Sequence, residues 1–192
     1  MNRIGLFFGS FNPIHMGHLV IASTMAELSD LDRIWFVVSP QNPFKPARTL
    51  LHEFDRFDMV EAAIDGDSRF QVSDVEFHLP RPSYTIGTLD HLSAKHPDKS
   101  FSLILGEDNL ESFPKWKDPE KILERHRLYV YPRPEVKPGE LLNHPQVTRV
   151  PAPLMDISST YIRQMVKERR SIRYLVPDAV AGMIERKGFY SS

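Results

Sequence analysis

Two histidines three residues apart, His15 and His18, lie in GSFNPIHMGHL (9–19), directly after the apolar run IGLFF. Gly9 permits a close backbone approach or an unusual turn, Pro13 stiffens the segment, and the pattern predicts a helix beginning near Gly17. Imidazoles placed there stand beside the unpaired N–H groups of a helix N-terminus, where an anion is the expected ligand. Two hydrogen-bond donors could hold an oligophosphate and match its charge as it shifts during group transfer. Read alone, the pair is equally compatible with one surface and one core-packed histidine. Zinc fits worse, because the third ligand and the glutamate of an H-E-x-x-H site are missing. A second segment, ISSTYIR (157–163), offers related chemistry. Ser158 or Ser159 can cap a helix, consecutive N–H groups and hydroxyls form an anion nest, and Arg163, one turn inward, can reach the same phosphates. Any capped helix with a surface arginine shares that pattern. The chain has no G-x-x-x-x-G-K-[ST] loop and no G-x-G-x-x-G fingerprint, which disfavours other phosphate binders.

The scaffold that must hold these segments alternates short apolar runs with stretches of helical period. IGLFF, RIWFVV, RFQVSDVEF, SFSLIL and RLYVY read as strands, with a further short one at QVTRV. Between them lie helices at HLVIASTMAELS, at HEFDRFDMVEAAI with Phe54, Phe57, Val60 and Ile64 on one face, after Tyr84 with Ile86, Leu89 and Leu92, and at DPEKILERH. In the last of these Asp118 can cap and Pro119 takes the first helical position. Residues 132–153 hold six prolines and read as a long irregular connection. SSTYIRQMVKERR and PDAVAGMIERKG close the chain as helices, the second with Pro177 at its start and Gly188 just past its end. The expectation is a Rossmann-like, doubly wound, mostly parallel α/β sheet with helices on both faces. In such a sheet ligands bind at the carboxyl ends of strands. The unusual residues gather there: GSFNPIHMGH, SPQNPFKP, GEDN and PRP each follow a strand, and SSTYIR opens a late helix.

A length of 192 residues suits one domain, 1–192, with the C-terminal helices (about 158–190) packed on it. Lys plus Arg number 24 against 25 Asp plus Glu, so no global basic field recommends nucleic acid and any phosphate binding must be local. The absence of cysteine removes disulfides, thiolate metal sites and cysteine nucleophiles together. IWFVV is too short to span a bilayer and no signal peptide is read, so a cytoplasmic location is expected.

GSFNPIHMGHL with a later ISSTYIR resembles the paired signatures of the H-x-G-H nucleotidylyltransferase superfamily. Within it the chain looks like the bacterial nicotinate-nucleotide adenylyltransferases over nearly its whole length, through SPQNPFKP, PSYTIGTL, LILGEDNLESFPKW, YPRPE and IRYLVPDAV. It departs from that family's pattern at Phe8, Ser10 and Asn12, where a glycine, a threonine and an aspartate are commoner, and at Glu107, where a small residue is. The resemblance implies attack of the nicotinate mononucleotide 5′-phosphate on the α-phosphorus of ATP, with Mg²⁺ carried by ATP. ATP and nicotinate mononucleotide are then the partners, without nucleic acid or membrane; a homo-oligomer is left open.

The same resemblance assigns His15 and His18 to the ATP phosphates and the charge developing on pyrophosphate. Lys45, Arg133 and Arg163 would supply fixed cations. Gly9, Ser10 and Phe11 would line the nucleotide with backbone N–H groups, as would the turn of Ser158, Ser159, Thr160 and Ile162. Gly106 and Asp108 would bracket a ribose. Trp116 would stack on the nicotinate ring, with Tyr84 and Thr85 giving donors for its carboxylate; no residue is assigned as a metal ligand. The alternatives are the same chemistry on nicotinamide mononucleotide or another phosphorylated acceptor such as phosphopantetheine, and a non-catalytic nucleotide-binding module.

Overall fold

The central strands carry apolar side chains on both faces, as a sheet covered by two helix layers demands. In a computed structural model, which describes residues 2–40, 50–134, 136 and 139–191, these runs form one parallel sheet. Its strands are β1 (Asn2–Gly9), β2 (Arg33–Val38), β3 (Phe70–Ser73), β4 (Lys99–Gly106), β5 (Leu128–Tyr131) and β6 (Val147–Arg149). They lie in the order β3-β2-β1-β4-β5-β6, every neighbouring pair parallel. The helices are α1 (Met16–Leu28), α2 (Glu53–Ile64), α3 (Thr85–Lys95), α4 (Glu107–Ser112), α5 (Pro119–Arg125), α6 (Ser159–Lys167) and α7 (Asp178–Lys187).

Alternation along the strands divides the core in two. Ile34, Phe36 and Val38 of β2 join Phe7, Ile104 and Tyr129 against α1, α2, α6 and α7. Trp35 and Val37 join Ile4, Leu6, Leu103, Leu105 and Val130 against α3, α4 and α5. Ile162 of α6 and Val180 and Ile184 of α7 belong to the first of these clusters. Strand order reverses between β1 and β4, which pair directly, so a crevice opens beyond Gly9 and Gly106. Among the described residues no helix is long and apolar enough to cross a membrane.

Three local expectations change. RFQVSDVEF is a strand only over Phe70–Ser73; Val75–His78 then coil into a 3-10 turn that buries Val75 and Glu76. Burial there is made tolerable by a hydrogen bond from the Thr88 hydroxyl to Glu76 Oε1 at 3.0 Å. On α2 the buried residues are Arg56, Met59, Val60 and Ile64, while Phe54 is more than half exposed. Asp118 stands at the start of α5 in left-handed geometry (φ 50°) and makes no side-chain cap; its carboxylate pairs with Lys121 at 3.3 Å instead. The cap at Ser158 forms as read, its hydroxyl accepting from the Tyr161 N–H at 3.1 Å, and Gly188 ends α7 with φ 65°.

Candidate active site

β1 delivers the chain to the crevice at Gly9, whose carbonyl accepts from the Ser39 N–H at 2.9 Å. Phe11 then turns the chain in left-handed geometry (φ 44°) and buries its ring in the core, edge-on to His18 at 5.0 Å. His15 becomes the residue preceding α1, and its N–H donates to Nδ1 of His18 at 3.2 Å. That bond fixes the tautomer, because an Nδ1 that accepts leaves the proton of the neutral ring on Nε2. The two rings stack with centroids 3.7 Å apart. Burial, followed by the cation of Arg133, lowers the His15 pKa to about 4. Burial, then His15 and Arg133, pushes His18 well below its ordinary value. Both rings are therefore neutral at pH 7 and stand at the start of α1, where the Met16 N–H donates to the Leu175 carbonyl and the His18 N–H to the His15 carbonyl, each at 2.9 Å.

The glycine between them has a steric reason. A Cβ on Gly17 would lie 3.1 Å from Cε1 and Nδ1 of His15, so the ring would have to move by a few tenths of an ångström. Gly17→Ala is expected to leave the melting temperature unchanged or raised, since alanine favours a helix, yet to lower kcat by about tenfold through misplacement of His15. Thermal melts and steady-state rates on one preparation check the opposite signs.

Gly106 ends β4 beside β1, and a Cβ there would fall 2.3 Å from Asp108 Oδ1 and 3.2 Å from Arg133 Nε. The close approach lets Asp108 meet Arg133 at 3.5 Å across the ends of β4 and β5. Glu107 is buried and holds this corner: Oε1 accepts from Arg149 Nε at 2.7 Å and Oε2 from the Arg133 N–H at 3.3 Å. The unusual carboxylate is thus engaged by the guanidinium of Arg149 on β6 and by the backbone N–H of Arg133 just beyond β5.

ISSTYIR closes on the loop after β1. Ser159 donates to the Pro13 carbonyl at 2.9 Å, and Arg163 donates to the Asn12 carbonyl at 2.9 Å and to Thr160 Oγ1 at 3.2 Å. Ile162 does not face the crevice as expected: the residue is wholly buried in the core, and its N–H donates to the Ser158 carbonyl at 3.1 Å within α6. Tyr84 and Thr85 stand at the start of α3, and Lys117 Nζ lies 4.6 Å above the Tyr84 ring. Tyr84 helps wall a cleft of about 420 Å³ with Ser83, Gly87, Lys117, Lys121 and Arg125, while His15 and His18 are not among its walls. Trp116, next in chain to Lys117, packs on Phe113 with ring centroids 5.2 Å apart. Lys45 lies outside the described residues.

Sequence reasoning missed Arg56, which is wholly buried. Its Nε donates to the Leu51 carbonyl at 2.9 Å, one terminal nitrogen to Ser10 at 2.6 Å and Ser39 at 2.8 Å, and the other to Pro40 at 3.0 Å. It also missed the C-terminal Tyr190, whose hydroxyl donates to Asn12 Oδ1 at 2.8 Å. No periodic pattern marks either one.

The cytidylyltransferase-like family model matches residues 6–165 of the chain. A relative from Cytophaga hutchinsonii, named probable nicotinate-nucleotide adenylyltransferase, is 58% identical over 99% of this chain and 99% of its own length. A relative of the same name from Flavobacterium johnsoniae is 50% identical over 98% of both chains. A solved nicotinic acid mononucleotide adenylyltransferase from Plasmodium falciparum, complexed with NaAD, superposes with a TM-score of 0.83 at 22% identity, covering 99% of this chain and 98% of its own. That last likeness concerns the fold. Full-length identity of this order makes the chain a member of the cytidylyltransferase-like family and, within it, of the nicotinate-nucleotide adenylyltransferases.

Proposed function

We propose that the chain transfers the adenylyl group of ATP to nicotinate mononucleotide, giving nicotinate adenine dinucleotide and pyrophosphate. The observation that carries this reading is the stacked, neutral pair His15 and His18 at the N-terminus of α1, in the crevice between β1 and β4. The family membership supports it. A phosphate oxygen of the acceptor forms the new bond to the α-phosphorus as the bond to the bridging oxygen breaks, and the electron pair leaves on pyrophosphate. The substrate brings its own nucleophile, so the protein needs only to align two anions and stabilise the charge that grows on the leaving group.

His18 donates from Nε2, His15 stands against it, and Arg133 offers a fixed cation held beside Asp108. Ser159 and Arg163 act partly through the loop: by holding the carbonyls of Pro13 and Asn12 they fix the backbone that leads to His15. Gly9, Ser10, Phe11, Ser158 and Thr160 complete the nucleotide's surroundings, and Gly106 with Asp108 takes a ribose. ATP arrives as its Mg²⁺ complex, where the ion offsets phosphate repulsion. An ion of this kind keeps phosphate and water as its main ligands.

Tyr84, Thr85 and Trp116 form the acceptor side, the start of α3 offering N–H groups to the nicotinate carboxylate. Trp116→Ala is expected to raise KM for nicotinate mononucleotide by about tenfold with little change for ATP, in keeping with loss of one aromatic face. An equal rise for both substrates would make Trp116 a packing residue on Phe113 alone. The reading as a whole is tested by incubating the protein with ATP, Mg²⁺ and nicotinate mononucleotide and identifying the products by mass. Dinucleotide with pyrophosphate is expected; ATP bound but unconsumed would favour a non-catalytic module.

A further inference from the structure

Arg56 stands in a place where a cation has little reason to be. It is wholly buried in the first turn of α2, where the helix dipole opposes positive charge, and no carboxylate among the described residues pairs with it. Burial lowers its pKa, with the charges of Glu53 and Tyr190 opposing. An apolar side chain of similar volume could fill the same space at no charge-burial cost. What the guanidinium does instead is gather four backbone carbonyls from three separate segments: Ser10 beyond β1, Ser39 and Pro40 beyond β2, and Leu51 ahead of α2. Its planar fork carries five N–H donors in fixed directions, a geometry no other side chain can supply.

We propose that Arg56 is a positioning residue for nucleotide binding, which holds the Ser10 carbonyl of the loop after β1 inward, braced on the Ser39 and Pro40 carbonyls beyond β2, and so presents the Phe11 N–H to the phosphates. The reason lies in peptide geometry. A carbonyl and the following N–H share one rigid plane and point in opposite directions. Holding the Ser10 carbonyl on Arg56 at 2.6 Å therefore directs the Phe11 N–H away from the core, toward the crevice that also receives His15 and His18. The Gly9 carbonyl, bonded to the Ser39 N–H, ties the same two loops together from the other side. Ser10 lies beyond the end of β1, and without the fork its carbonyl is free to turn to water and carry the Phe11 N–H away from the crevice.

The inference rests on the nucleotide-binding half of the proposed function, and its test does not need the acceptor to be right. ATP affinity is measured by calorimetry for wild type, Arg56→Lys and Arg56→Ala, with melting temperatures and, in parallel, dinucleotide formation from nicotinate mononucleotide. Lysine keeps the charge but has three donors and no fork, so folded Arg56→Lys is expected to bind ATP about 30-fold more weakly. Millimolar ethylguanidinium, filling the space left in Arg56→Ala, should restore most of the lost affinity, whereas ethylammonium should not. A merely structural arginine would change the melting temperature and leave the ATP affinity of the folded fraction untouched. Wild-type affinity in Arg56→Lys, no rescue of folded Arg56→Ala, or failure of both variants to fold overturns the inference; if Arg56→Ala alone fails to fold, Arg56→Lys decides. Normal ATP behaviour in wild type with no dinucleotide formed would sink the acceptor assignment, while the ATP affinities of the variants would still decide the role of Arg56.

Discussion

His18→Ala is expected to lower kcat by about 10²–10³ while the protein stays folded, the loss that follows removal of one preorganised donor to a developing oxyanion. The neutral tautomer is the basis of that size. Because Nδ1 of His18 accepts from the His15 N–H at 3.2 Å, Nε2–H is committed to donate, and no reorganisation is needed as charge appears on the leaving oxygen. The fold should survive, since the neighbours Phe7 and Phe11 keep their own edge-on contact at 5.9 Å. Alanine also removes the acceptor for the His15 N–H, so a second variant separates the two roles. His18→Asn offers an amide oxygen near the Nδ1 position but no donor at Nε2; it should be as slow as alanine. Full activity in His18→Asn would assign the residue to loop geometry instead.

The second large effect is on stability. His15 has a folded pKa of about 4 against an ordinary value of 6.5, so the unfolded chain binds more protons between those limits. Stability is then complete above pH 6.5 and falls as pH drops toward 4, by roughly 3 kcal/mol from this one ring. His18 and the buried His126, whose pKa values are also lowered, act in the same direction, and Glu76, raised by burial, opposes them. Urea unfolding at pH 7.5 and pH 4.5 should show this loss in the wild type and a clearly smaller one in His15→Gln. An identical pH dependence in the two proteins would contradict the buried neutral pair. Bound polyphosphate favours the charged rings, so ATP binding at pH 5.5 should be accompanied by proton uptake.

The parallel sheet was legible because IWFVV and LIL are apolar at consecutive positions and short, as strands buried on both faces are. His15 and His18 were legible as a pair because three-residue spacing at a strand exit brings both rings to one helix start. The face of α2 was not. Its inward side carries Arg56, and a periodic reading gives a buried charge to solvent, which shifted the apparent apolar stripe onto the exposed Phe54. The strand expected through Val75–Phe77 failed for a related reason: Glu76 is buried by its bond to Thr88, twelve positions later, a partner no local pattern discloses. Ser159 and Arg163 show the same limit. Their types suggested phosphate contacts, yet the directions in which they donate, to the Pro13 and Asn12 carbonyls, depend on how α6 docks across a gap of nearly 150 residues in sequence.

Acceptor identity is decided by the ratio of kcat/KM for nicotinate mononucleotide to that for nicotinamide mononucleotide, with ATP and Mg²⁺ saturating and phosphopantetheine as a third acceptor. A site whose donors at the start of α3 meet a carboxylate is expected to prefer the acid by about 10²-fold or more, since the uncharged amide leaves those donors poorly matched. Preference for the amide, or for phosphopantetheine, would keep the phosphate-binding crevice and contradict the acceptor; no turnover with any of the three would contradict adenylyl transfer to these acceptors.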